Sequence, residues 1–221
     1  MSKKADNSKQ LNFFASHDDF APYAAPTPPE PKTSETDPIL VHYVETGTAG
    51  RLGLTFAPGK YDPNSRSGIW DRDVDADLER LRNHWNIDVV VTLIEDGTFE
   101  CDEFSLLDIP DLLERVGEHG MESLWFPFRD CDVPQRRPDV DLLVCEIITK
   151  LKRGENIVVH CRGGLGRTGL IVACVLATLG ATARTAIREV RKDRKRAVET
   201  KGQVRFVHNY ARRLAGDWTE V

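Results

Sequence analysis

The sequence predicts an α/β domain: a central, mostly parallel sheet flanked by helices on both faces. Two observations carry this. Strand-like and helix-like patterns alternate through most of the chain, the order that builds parallel sheets through crossover helices. The run Ile87 to Ile94 is apolar almost throughout, as a strand buried on both faces is. At 221 residues the chain is long enough for one such domain with a sizeable core. No internal repeat is visible.

Residues 1–38 read as a disordered, proline-rich tail, with six of the twelve prolines among Ser, Thr, Lys and acidic residues. Phe13, Phe14, Phe20 and Tyr23 punctuate it and offer apolar contacts. The folded domain is expected over residues 39–221. Ile39 to Val44 and Arg51 to Phe56 read as two strands joined by a turn containing Gly47 and Gly50. Loops follow around Pro58-Gly59 and from Pro63 to Gly68. Lys60 and Arg66 lie there and read as solvated surface charge, with substrate contact as the alternative. Val74, Leu78, Leu81 and Trp85 recur at helical spacing, so a helix is expected over 73–84. After the strand ending at Ile94, Glu95-Asp96-Gly97 reads as rim. Leu112, Leu113 and Val116 predict a helix over 109–118, and Met121 to Phe126 another strand. Pro138 and Asp139 open a helix whose apolar stripe runs from Val140 to Leu151 and which Gly154 ends. Thr182 is placed to cap a helix over 183–193. A last helix presents Phe206, Val207, Tyr210, Ala211 and Leu214 inward.

The stretch that organises the chain is 156–170, Asn-Ile-Val-Val-His-Cys-Arg-Gly-Gly-Leu-Gly-Arg-Thr-Gly-Leu. Ile157, Val158 and Val159 form a short strand. A loop with Gly163, Gly164 and Gly166 follows. The apolar run from Leu170 to Leu179 then reads as a buried helix closed by Gly180. A strand feeding a glycine-rich turn that opens a helix is an anion site, because backbone N–H groups converge over the positive end of the helix dipole. Cys161 stands at the start of this loop and Arg167 at its end. A thiol so placed is expected to be acidified and nucleophilic. The Arg167 guanidinium suits two oxygens of a phosphate, and the amides of Arg162, Gly163, Gly164, Leu165 and Gly166 suit the others. Thr168 can hydrogen-bond the thiolate, and the His160 ring can brace the loop through backbone carbonyls. A buried cysteine beside an ordinary turn is the plain alternative. The joint pattern His-Cys-x-x-Gly-x-Gly-Arg-Thr-Gly makes it the weaker one.

This loop resembles the signature of the cysteine-dependent protein tyrosine phosphatases, in their dual-specificity branch. The resemblance covers roughly residues 50–215, including Leu-Gly-Leu-Thr-Phe-Ala-Pro-Gly-Lys at 52–60 and Gln203 to Tyr210. It implies that family's fold and hydrolysis of phosphotyrosine, phosphothreonine or phosphoserine in a phosphoprotein through a cysteinyl-phosphate, with no metal or cofactor. It also points to a protein kinase as partner. Such chemistry needs a proton for the departing oxygen, which a thiolate cannot supply. The family carries an Asp on another loop, with a Pro four residues later. In Phe126-Pro-Phe-Arg-Asp-Cys-Asp-Val-Pro134, Asp130 fits that spacing and Asp132 competes. Gln203 is expected to support the signature loop and help position water. Cys131, beside the acid loop, is a candidate for a disulfide with Cys161 under oxidation.

The lipid-phosphatase pattern has lysines where Arg162 and Leu165 stand, which disfavours a phosphoinositide without removing it. A phosphate-reading docking module without turnover is the reading from another class; it would be expected to lack Cys161, Arg167 or Asp130. A sulfur-transfer enzyme is disfavoured by Asp130. The net charge of −5 argues against a general nucleic-acid binder, although residues 184–196 hold seven basic residues against two acidic ones. That stretch is either a solvated face or a field that draws phosphorylated substrates to the pocket. The five scattered cysteines form no metal-binding pair. No apolar run reaches the roughly 18 residues of a membrane span. These features together predict a soluble, reduced, cytoplasmic protein.

Overall fold

The computed structural model describes residues 30–65 and 67–216. Phe13, Phe14, Phe20, Tyr23 and Arg66 lie outside the described residues. A five-stranded sheet has the order β1(His42–Val44), β2(Leu52–Phe56), β7(Ile157–Cys161), β5(Val89–Thr92), β6(Glu122–Trp125). Only the β1–β2 pair is antiparallel. Phe56 pairs with Cys161, and Thr92 with His160, so these strands end at one edge of the sheet.

The two faces explain the unbroken apolar runs. Val89 and Val91, with Ile157 and Val159, pack against α4(Arg137–Lys152), α5(Gly166–Thr178), α6(Ala183–Arg191) and α7(Lys201–Leu214). Their neighbours Val90 and Val158 point the other way, toward α1(Val74–Asn83), α2(Glu103–Leu106) and α3(Leu112–Glu118). A strand that must bury both faces has no use for alternation. The Asp73 side chain caps α1, Thr182 caps α6, and Thr200 with Gln203 forms a capping box on α7. Gly154 and Gly180, both at positive φ, close α4 and α5.

Two features depart from the expected elements. A two-stranded ribbon, β3(Tyr61–Asp62) and β4(Trp70–Asp71), stands where loops are expected, and α2 has no counterpart in the apolar pattern. Helix α5 also begins at Gly166, four residues before the apolar run, because its first turn continues directly from the glycine-rich turn after Cys161. Within the stretch read as tail, residues 32–37 dock on the domain. Lys32 bridges to Trp70, and an Nη of Arg72 donates to the carbonyls of Thr33 and Asp37 at 3.1 and 2.7 Å.

Candidate active site

Four segments meet at the C-terminal edge of the sheet, where α/β folds collect their sites. They are the loop after β2, the loop from β5 to α2, the loop after β6, and the Cys161–Arg167 turn. All but the β5–α2 loop, together with residues 194–199, line an open cavity of about 360 Å³. Its lining includes Cys161, Arg162, Gly163, Leu165, Gly166 and Asp130, together with Lys60, Trp70, Arg194 and Arg196.

The phosphate loop is held from below and from the side. Gly164 has φ of +65°, and a Cβ there would lie 2.1 Å from the Thr55 carbonyl oxygen, so glycine is required. Arg194 donates to the Gly163 carbonyl at 2.5 Å and to the Gly164 carbonyl at 3.2 and 3.3 Å. Arg191 donates to the carbonyls of Ala197 and Val198, each at 2.8 Å. Two arginines of the basic stretch 184–196 are therefore structural braces rather than solvated charge. Gln203 is fully buried; a Cβ on Gly166 would lie 3.0 Å from its Nε2, which donates to the Asp132 carbonyl at 3.1 Å. Its side chain thus lies between Gly166 of the glycine-rich turn and Asp132 of the loop after β6.

Cys161 is 3% exposed and opens onto the cavity. The His160 Nε2 pairs with the Thr92 hydroxyl at 2.8 Å on the adjacent strand. The reason is register: Thr92 lies directly opposite in the β5–β7 pairing. Burial, aided by the Arg167 charge, pushes the His160 pKa down to about 3, so the ring is neutral. The Thr168 hydroxyl is buried and meets no partner among the described residues. The expected bond to the Cys161 sulfur is not made in this structure.

Arg167 is fully buried, and Glu103 holds it. The two Glu103 oxygens accept from its two Nη atoms at 2.5 and 2.7 Å. One Nη also donates to the carbonyls of Leu93 and Phe128, at 3.2 and 3.1 Å. The other lies 3.1 Å from Asp130 Oδ1, while the Nε has no partner among the described residues. Burial alone would lower the Arg167 pKa. The Glu103 bonds and the nearby Cys161 and Asp130 charges outweigh it and hold the group above the usual arginine value. The fork is thus anchored by Glu103 at both Nη atoms, one of which also meets Asp130, while the Nε stays buried and unpartnered among the described residues.

Glu103 is the partner that sequence reasoning missed. It opens a four-residue helix and carries no motif of its own. The loop read as rim serves to place it: Glu103 Oε2 accepts from the Glu95 amide at 3.1 Å, and buried Glu95 accepts from the Glu100 amide at 3.0 Å. The two acid candidates separate. Asp130 lines the cavity with Cys161, whereas Asp132 accepts from the Val133 amide at 2.8 Å and faces a different groove. Cys131, between them, is exposed and at φ of +59°.

Lys60 corrects an expectation. It is 3% exposed, not solvated surface, and it lines the cavity. Its ammonium lies 4.0 Å from the centre of the Trp70 ring. Burial, with Arg162 and Arg72 nearby, lowers its pKa to about 8 against the opposing pull of Asp62 and Cys161. Among the described residues there is no group of acidic, His and Cys side chains suited to a metal ion, and no helix is long and apolar enough to cross a membrane.

Comparison with known proteins agrees with this geometry. The model of the PTP-SAK family, described as a Swiss Army Knife protein, DSP-PTPase phosphatase domain, matches residues 71–214. Rat cyclin-dependent kinase inhibitor 3 is 27% identical over 194 residues, which cover 84% of this chain and 85% of that one. The human protein of the same name is equally similar. Among solved structures, kinase-associated phosphatase with its catalytic cysteine changed to serine superposes with a TM-score of 0.70 at 25% identity, over 80% of this chain and 96% of that one. PTPMT1 in complex with PI(5)P, at 18% identity and a TM-score of 0.58 over 80% and 98% of the two chains, shares the fold. The chain belongs to the DSP-PTPase phosphatase domain family and is a cysteine-dependent protein phosphatase of the dual-specificity type.

Proposed function

We propose that Cys161, Arg167 and Asp130 carry the reaction on a phosphoprotein. The observation behind this reading is that Cys161 and Asp130 line one cavity, with Asp130 Oδ1 at 3.1 Å from the guanidinium of buried Arg167. The phosphate enters over the loop amides and the Nε edge of Arg167, taking the place that Asp130 partly occupies. The Cys161 thiolate attacks phosphorus as the bond to the substrate oxygen breaks, and protonated Asp130 gives its proton to that oxygen. Water then attacks the cysteinyl-phosphate, Asp130 takes its proton, the S–P bond breaks, and inorganic phosphate leaves. The loop amides and Arg167 stabilise the transferring group electrostatically. The buried Thr168 hydroxyl can donate to the sulfur as it departs.

A protein kinase is the proposed partner, supported by the likeness to cyclin-dependent kinase inhibitor 3 and to kinase-associated phosphatase. We place the protein in the cytoplasm, where a reduced thiol persists. The reading is tested by assaying wild type, Cys161→Ser and Asp130→Ala on phosphotyrosine and phosphothreonine peptides. Turnover by wild type, abolished in Cys161→Ser, is expected. Capture of a phosphoprotein without turnover by wild type would instead favour a docking module.

A further inference from the structure

The helical layer packed on the sheet carries a second groove that the proposed chemistry does not use. It lies where α5 ends, α6 begins and α7 ends, and its volume is about 570 Å³. Helix α5 starts at Gly166 beside the catalytic cavity and meets this groove at Ala177, so roughly 17 Å of helix separates the two, at about 1.5 Å per residue. The groove walls are made of small residues, Ala177, Gly180, Ala181, Ala183 and Ala211, with Leu214 at 46% exposure on the α7 side. Two exposed cations flank it, Arg184 on α6 and Arg212 on α7. Arg212 donates to Asn209 Oδ1, and neither arginine meets a carboxylate among the described residues.

The course of the chain indicates what belongs there. Leu214 and Ala215 line the groove, and the described residues end at Gly216, next to it. Gly216 has φ of +78°, and its amide donates to the Arg213 carbonyl at 3.1 Å. A left-handed glycine at this position turns a chain off its helix axis. Asp217, Trp218, Thr219, Glu220 and Val221 follow in the sequence. Trp218 is two residues past Gly216, no more than about 7 Å along the chain, so the groove is within its reach. An indole buries about 150–250 Å² when it finds a cleft, and walls of alanine and glycine leave room for one. Asp217 and Glu220 flank Trp218 with the negative charge that Arg184 and Arg212 lack.

We propose that the groove between α5, α6 and α7 is the docking seat of the chain's own residues 217–221, with the Trp218 indole against the alanine wall and Asp217 and Glu220 facing Arg184 and Arg212. Seated there, the segment clasps three helices at the end of the layer away from Cys161.

Amide hydrogen exchange of the full chain, read residue by residue by NMR, tests this. The amides of Leu179, Gly180 and Ala181 are hydrogen-bonded within the α5 terminus and report opening of the groove wall. In Trp218→Ala they should exchange about tenfold faster or more than in wild type, because opening no longer has to expose the indole. Trp218→Phe should recover most of the protection. Arg184→Glu combined with Arg212→Glu should lose most of it. The amides of Val89 to Thr92, in the central strand, should exchange alike in every variant, which separates lost docking from lost folding. Docking of the chain's own segment is intramolecular, so protection should survive dilution by about a hundredfold. Equal exchange of Leu179 to Ala181 in wild type and Trp218→Ala overturns the proposal. Full protection in the double charge reversal does the same, as does protection that falls on dilution, which would seat a second copy in the groove.

Discussion

Asp130 Oδ1 lies 3.1 Å from an Nη of Arg167, the same Nη that donates to Glu103 Oε1 at 2.7 Å. In the proposed mechanism the phosphate binds this guanidinium, so the carboxylate would compete with the anion it later serves. Asp130→Ala should therefore do two opposite things. Loss of the proton donor should lower kcat by about 10²–10⁴. Affinity for tungstate, an unreactive phosphate mimic, should rise a few-fold; the gain is small because Asp130 is half exposed and screened. Isothermal titration with tungstate checks this, and weaker binding in the variant would contradict the competition.

Glu103 supplies the buried countercharge of Arg167. Glu103→Gln keeps the shape and removes the charge, leaving a buried guanidinium with only half-exposed Asp130 opposite. A loss of about 3 kcal/mol in urea unfolding is expected, in the range found for broken buried pairs. A loss below about 1 kcal/mol, no more than an exposed pair contributes, would show that the pair does not anchor the loop.

His160 gives the protein an acid-sensitive core. In the folded state it takes a proton only near pH 3, whereas unfolded it does so near 6.5. Between these values the unfolded state binds more protons, so stability falls as pH drops, by about 1.4 kcal/mol per pH unit for this group. Urea unfolding of wild type and His160→Gln from pH 7 to 4.5 should show a shallower slope in the variant by that amount. Equal slopes would mean that the ring is not held neutral.

Lys60 has the opposite location on the pH axis and the same sign. Its folded value of about 8 lies below the unfolded 10.5, so stability rises with pH between them, and the cost of the buried charge is complete below pH 8. At pH 7, Lys60→Met should stabilise the domain by about 1–3 kcal/mol, the charge penalty less the lost ring contacts. A destabilised variant would show that the lysine is held by contacts stronger than those of Trp70 and Phe56.

Legibility in the sequence followed how local each feature was. The Cys161–Arg167 loop is contiguous, and its strand and helix flanks are apolar runs, so its place at the sheet edge could be read directly. Asp130 was readable through its spacing to Pro134, but its separation from Asp132 needed the loop's path, in which only Asp130 turns to the cavity. Glu103 had no signal: one acid in an acidic stretch acquires meaning only from Arg167, 64 residues away. Lys60 was misread because the rings that bury it, Phe56 and Trp70, flank it on different elements. Arg191 and Arg194 looked like surface charge because backbone carbonyls, their true partners, leave no mark in a sequence. The extended tail has the same difficulty, since residues 32–37 join the domain through the β4 edge, not through an apolar pattern.

The central claim is that one sulfur carries the phosphoryl group. Rapid acid quench of wild type with a phosphopeptide, followed by intact and peptide mass spectrometry, tests it directly. The account predicts a transient gain of one phosphoryl group on Cys161, absent in Cys161→Ser and longer-lived in Asp130→Ala, which cannot activate water. Turnover with no adduct on Cys161, or with undiminished rate in Cys161→Ser, would contradict it.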